Sequence, residues 1–360
     1  MDHLRSYGIL LGILLGTTIS SGDHGSAVDD HSTNAVQNSG SSDQEPPSKA
    51  YKVQLAELEN RLATDPDDEG LRVKAMITAA RAELGAEVRH HVVELARRNP
   101  YSMRIRLTLP ALDPWVDMEL LSDVREILAP LVEREDHPFL SEVEANLAVT
   151  EFYLAVSTLS VRGGETPRIN EVLLRTAIER MEKLTARRPS AALLLQLGRA
   201  YLFDDQPRKA SDRYLQAVKL AGDLGSGMAL SAAEELHSSG QPEAAGTFAR
   251  MALDLESRKL HQMSGIIHDA HQFFGLYYLL HEDDLEGAEE HLRRSIEVPE
   301  RVWPNVESRI SRISTALTSA LLARGRIQAV QEYLDVMEKR WPQLEETWKE
   351  FRGKIEALER

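Results

Sequence analysis

The side chains best suited to chemistry in this chain are three histidines. His261, His268 and His271 stand seven and three residues apart, which on a helix brings them toward one face. Imidazole nitrogens at such spacing can ligate a transition metal, and Asp269 alongside offers a carboxylate oxygen. The surrounding pattern does not complete a metalloenzyme, because there is no His-Glu-x-x-His and no general base at fixed spacing. A helical chain with 12 histidines produces such a grouping by chance. The expectation is therefore no metal and no cofactor, with His261, His268 and His271 as the positions to check. Cysteine is absent, which removes disulfides, zinc–thiolate sites, iron–sulfur clusters, a thiol nucleophile and a lipid-modified N-terminal cysteine.

Other catalytic patterns are missing too. The sequence has no Gly-x-Ser-x-Gly elbow, no phosphate loop ending Gly-Lys-Ser/Thr and no Gly-x-Gly-x-x-Gly after a strand. Gly222, Gly225 and Gly227 follow a helical stretch and read as a turn between helices. Asp67-Asp68 and Asp283-Asp284 read as helix N-caps. Trp303, Trp341 and Trp348 could stack a ligand, but lie at helix ends and on an apolar stripe, where packing is the plainer reading. No catalytic residue is expected. The net charge of −15, from 57 acidic and 42 basic side chains, argues against nucleic acid, whose phosphates need a basic footprint. It argues equally against docking on anionic lipid.

The elements that would position these residues are helices. Hydrophobic residues make up 42% and charged residues 28% of the chain, the balance of a folded protein. Arg5 precedes an apolar run from Tyr7 to Gly16, and small residues follow at Thr17, Thr18, Ser20, Ser21 and Gly22. Residues 1–22, or 1–27 if cleavage falls after Gly25-Ser26-Ala27, read as an export signal. The run is too short to span a bilayer. Cleavage and a periplasmic or secreted location are expected; an uncleaved anchor is the alternative, since Asp2 weakens the basic start. Residues 23–48 are an acidic Ser/Gly-rich stretch expected to be a disordered tether. From Ala50 onward the apolar spacing is helical, with proline and glycine between periodic segments.

Those segments repeat. Pro66 and Pro100 each close a helix and stand 34 residues apart. Between them Ala75, Met76, Ala79 and Ala80 form one stripe, and Val88, Val92 and Leu95 a second. After Pro189, Leu194, Leu197, Gly198 and Tyr201 make a first helix, and Ala210, Tyr214 and Ala217 a second. The second-helix pattern recurs at Ala177/Met181/Leu184, Ala244/Phe248/Met251, Ala288/Leu292/Ser295 and Ala329/Tyr333/Val336, and Phe274, Gly275 and Tyr278 supply another first helix. Gly198 and Ala210 are expected where two helices cross, since only a small side chain permits close approach.

In these residues the chain resembles the tetratricopeptide-repeat superfamily over residues 49–340, with an irregular segment at 101–140. There four prolines interrupt the pattern and one helix, Trp115–Leu128, or an insertion is expected. The resemblance implies an all-α fold: a right-handed superhelix, or α-solenoid, of antiparallel helix pairs. Residues 341–360 are expected to form a C-terminal capping helix, with Leu344, Trp348, Phe351, Ile355 and Leu358 on its buried stripe. The family's inward-facing first-helix positions fall on Leu195 and Arg199, on Asp269 and Gln272, and on Ser311, Ser314 and Thr318. The resemblance implies a concave face that takes a peptide or helix from a protein partner. Two functions follow as expectations: a non-enzymatic protein- or peptide-binding scaffold of the bacterial cell envelope, or an envelope enzyme with a histidine-centred metal site.

Overall fold

The computed structural model describes residues 47–109, 118–134, 139–157, 169–259, 264–297, 312–340 and 345–359. The expected signal, residues 23–46 of the expected tether, His261, Trp303, Ser311 and Trp341 lie outside them. The described residues form helices, with no strand among them. In chain order these are α1 (Pro47–Thr64), α2 (Glu69–Arg81), α3 (Gly85–Arg98), α4 (Met103–Thr108), α5 (Met118–Val132) and α6 (Leu140–Ser157). Then come α7 (Glu171–Arg187), α8 (Ala191–Phe203), α9 (Pro207–Ala221), α10 (Gly225–Ser238) and α11 (Pro242–Ser257). The last are α12 (Ser264–Tyr277), α13 (Leu285–Ile296), α14 (Arg312–Ala323), α15 (Ile327–Arg340) and α16 (Glu345–Glu359).

Local chemistry fixes where these helices start. Asp68, Ser102, Asn170, Ser190 and Asp284 each cap a helix by accepting a hydrogen bond from a backbone N–H two or three residues on. Such a cap contributes about 1 kcal/mol. Pro207 and Pro242 open α9 and α11, where a missing N–H costs nothing.

The turns inside the hairpins share one geometry. Glu83, Asp205, Gly240 and Gly325 have left-handed φ values of 60°, 54°, 72° and 75°. The next residue in each case donates its N–H five residues back: Leu84 to Ala79 O, Gln206 to Tyr201 O, Gln241 to Leu236 O and Arg326 to Leu321 O. This is the Schellman closure of a helix end. The hairpin α12–α13 follows the same plan with one residue more. Asp283 takes the left-handed conformation, but Asp284 donates six residues back, to Tyr278 O at 3.1 Å. The extra residue is absorbed as a π-helical turn over Tyr278–Glu282.

The chain divides into two compact units, with the boundary between Ile169 and Asn170. In the first unit α1, α2 and α3 pack in succession, α3 packs on α5, and both α4 and α5 pack on α6. The α2–α3 hairpin buries Ala75, Met76, Ala79, Val88, Val92 and Leu95, as the 34-residue spacing predicts, while Ala80 is half-buried. The irregular segment at 101–140, where one helix over Trp115–Leu128 or an insertion is expected, has among its described residues α4 and α5 (Met118–Val132), the latter with Pro130 inside it, before α6 begins at Leu140; Trp115 lies outside the described residues.

In the second unit consecutive helices pack in pairs, and α8 also touches α10, α10 touches α12, and α12 touches α14. That next-but-one contact is what stacked hairpins require, and it fits an α-solenoid. Gly198 sits at the crossing expected of it, where a Cβ would run into the Tyr214 ring. A Cβ at Gly275 would collide with Leu317 on α14. Two second-helix stripes lie one residue later than the sequence suggests. Ala244 and Met251 are only half-buried, whereas Ala245, Phe248, Ala249 and Ala252 are buried on α11. On α15 the buried set is Val330, Tyr333, Leu334 and Met337, with Ala329 and Val336 at its edge. Helix α16 buries Trp348, Phe351 and Ile355 against this core, but Leu358 is exposed, and Leu344 lies outside the described residues.

Candidate functional site

The first helices of the second unit carry the residues expected to line a groove. Leu195 and Arg199 lie on α8, Asp269 and Gln272 on α12, and Ser314 and Thr318 on α14. The side chain of Ser314 is outside the described set. The other five are buried, at 0–3% exposure. They therefore do not form an open polar face. Leu195 is packed in the apolar interior, and Arg199, Asp269, Gln272 and Thr318 are polar groups buried between helices.

Nη2 of Arg199 lies 2.7 Å from Oε1 of Glu235 on α10, its Nε donates to the same oxygen at 2.8 Å, and Nη2 reaches Ser231 Oγ at 3.4 Å. Tyr214 on α9 donates its hydroxyl to the second Glu235 oxygen at 2.5 Å. Three helices thus share one buried carboxylate. Tyr201, also on α8, hydrogen-bonds Glu182 on α7; burial first, and then this carboxylate, push its pKa up to about 12. Farther along, Gln272 donates its amide N–H to Ser295 Oγ on α13 at 2.9 Å.

The histidines are drawn into different partnerships. His268 Nδ1 lies 2.9 Å from Asp269 Oδ1, and its Nε2 lies 3.3 Å from the Tyr333 hydroxyl on α15. The arrangement has the outline of a catalytic relay, but Tyr333 is 2% exposed. Burial, and then the Asp269 charge, push its pKa up, the opposite of what a nucleophile needs. His271 Nδ1 instead faces His291 Nδ1 on α13 at 3.0 Å. So the structure does not join His268 and His271 in one ligand set, and among the described residues no three His, Asp or Glu side chains converge as a metal cage.

His291 carries no spacing signal that links it to His271, 20 residues away. Only the hairpin brings the two together. A third ring group sits at the π turn, where His281 packs near His237 at 5.7 Å between centroids and near Tyr277 at 5.2 Å. In the first unit, Asn146 is fully buried on α6 and donates to Pro100 O and Ser102 O, both at 2.8 Å. The available signal for it was an asparagine placed between the apolar residues Ala145 and Leu147 of that helix.

One recess opens between second helices. Glu289, Arg293 and Ile296 of α13 face Ala329, Glu332 and Tyr333 of α15 across a shallow depression. It mixes both charges with an apolar floor. No helix among the described residues is long and apolar enough to cross a membrane. Comparison with known proteins finds no family model and no curated protein that matches this chain.

Proposed function

We propose that this chain is a non-enzymatic scaffold of the tetratricopeptide-like kind, a right-handed superhelix that holds a protein or peptide partner in the cell envelope after export. The observation that carries the reading is the recurrence of one hairpin plan, with the same left-handed turn position and next-but-one contacts along the second unit. Stacked units of this kind offer long surfaces, suited to an extended peptide or a helix. Because Leu195, Arg199, Asp269, Gln272 and Thr318 are buried, the partner contact is proposed at the recess between α13 and α15 instead. It offers opposite charges beside Ile296 and Ala329.

The test is site-specific crosslinking. A photoreactive residue at half-buried Ala329 should capture one defined partner, and Ala329→Arg should weaken that partner's binding without loss of helix content. The same probe at Leu220, 51% exposed on α9, should capture nothing specific. Equal capture at both positions, or none at Ala329, sinks the placement. Elemental analysis of the purified protein separates the second reading, since stoichiometric zinc or iron would favour a metalloenzyme.

A further inference from the structure

We propose that the α12–α13 hairpin is an acid-releasable joint, fastened by two facing imidazoles that hold while neutral and part when both are protonated. The fastener is the His271–His291 pair, with Nδ1 atoms 3.0 Å apart. One Nδ1–H donates and the other Nδ1 accepts, so the bond needs one proton between the two rings. Charging both rings leaves two N–H groups opposed at that distance, with like charges behind them.

His291 has no easy way to turn aside. Phe274 stacks on it at 5.3 Å and 26°, and Tyr278 at 5.2 Å and 20°. The titratable groups around the pair are His268 on α12, Tyr278 in the π turn, Asp284 at the start of α13, and Glu290 and Arg294 on α13. Among the described residues, α10, α11, α14 and α15, packed on the same helices, add no charged group that acts on either ring. Neither carboxylate is idle. Glu290 is paired with Arg293 and Arg294 at 2.7 and 2.8 Å, and Asp284 caps the N–H of Gly287. Burial therefore dominates, followed for His271 by its partner ring and then Arg294, and for His291 by Arg294; both pKa values fall to about 4.

The π turn is the independent observation. Of the five hairpin turns with a left-handed residue among the described residues, the one between these histidines carries the extra residue and the irregular hydrogen-bond ladder. A π turn is a rare departure from the α-helical ladder that often coincides with function, and this one continues the C-terminal end of α12. Fastener and irregular turn thus lie in one hairpin.

The sign follows from linkage. A histidine held near 4 in the fold and returning to about 6.5 once released binds its proton preferentially in the open form between those values. Opening is therefore favoured as pH falls through that window. Hydrogen exchange of the full chain, corrected for intrinsic rates, reads this segment by segment. At about pH 5 the α12–α13 amides should lose protection by roughly twentyfold for each ring released, relative to neutral pH. The histidine-free α8–α9 hairpin should change little. His271→Gln with His291→Gln keeps a hydrogen-bonding pair that does not titrate and should abolish the differential loss; His291→Gln alone should reduce it. Equal loss in α8–α9 and α12–α13 of the unsubstituted chain overturns the proposal, whether or not the variants fold. So does acid loosening that persists in the double variant.

Discussion

Arg199 shows how one side chain can change its meaning between sequence and structure. Its guanidinium is 1% exposed and shares Glu235 with Tyr214 and Ser231. Removing one partner of a buried pair strands the other's charge, which costs about 3–5 kcal/mol. Arg199→Leu should lower the denaturant midpoint accordingly, and adding Glu235→Leu should restore much of the loss. A single substitution costing under about 1 kcal/mol would show that water reaches the pair. His91 makes the opposite case. It is 2% exposed on α3, and neither ring nitrogen has a hydrogen-bond partner. Burial, then His90 and Arg72, lower its pKa to about 4. Stability of the first unit is then fully present above about pH 6.5 and is lost as pH falls toward 4, by about 3 kcal/mol at most. His91→Leu should be more stable than the parent at neutral pH, because a buried ring whose nitrogens make no hydrogen bond is removed, and the gain should grow on acidification. A gain that shrinks with acid would contradict the sign.

At the scale of the element, the recurring turn makes a prediction about length. Four hairpins close over five residues and one closes over six. Leu280, inside the π turn, is 55% exposed, so deleting it removes no core atoms. The deletion should let α12 run into an ordinary Schellman turn, with stability changing by about 1 kcal/mol or less. Deleting Leu197 from the middle of α8 should unfold the hairpin, because every later side chain rotates off its face. Thermal unfolding of the two deletions compares them directly. Equal damage would mean that the π turn is packed as tightly as a regular helix.

At the scale of the molecule, stacking makes damage local. Trp348 is 4% exposed and belongs to the cluster of Leu317, Leu321, Leu334 and Met337. Trp348→Ala should cost about 3–5 kcal/mol through the cavity it leaves. In a stack where each hairpin meets its neighbours, hydrogen exchange should rise in α14, α15 and α16 and stay unchanged in α8 and α9. A uniform rise through the second unit would point to one cooperative core. That result would also weaken the scaffold reading, which depends on semi-independent repeats.

What the sequence determined by itself was local. Caps at Asp68 and Asp284, prolines opening α9 and α11, and Gly198 at the crossing with Tyr214 all act through neighbours within one hairpin. Such interactions are written in short spacings, so helices and hairpins were legible. The one-residue displacement of the α11 and α15 stripes was not, since adjacent alanines and valines fit either register until a facing helix selects one. Only the tertiary structure decided the exposure of Arg199, Asp269, Gln272 and Thr318. A polar side chain halfway round a first helix faces water or protein according to what the next hairpin places there. It also decided that His271 meets His291 rather than His268. Two rings on separate helices share a bond only once the hairpin closes, and no spacing within either helix records that distance.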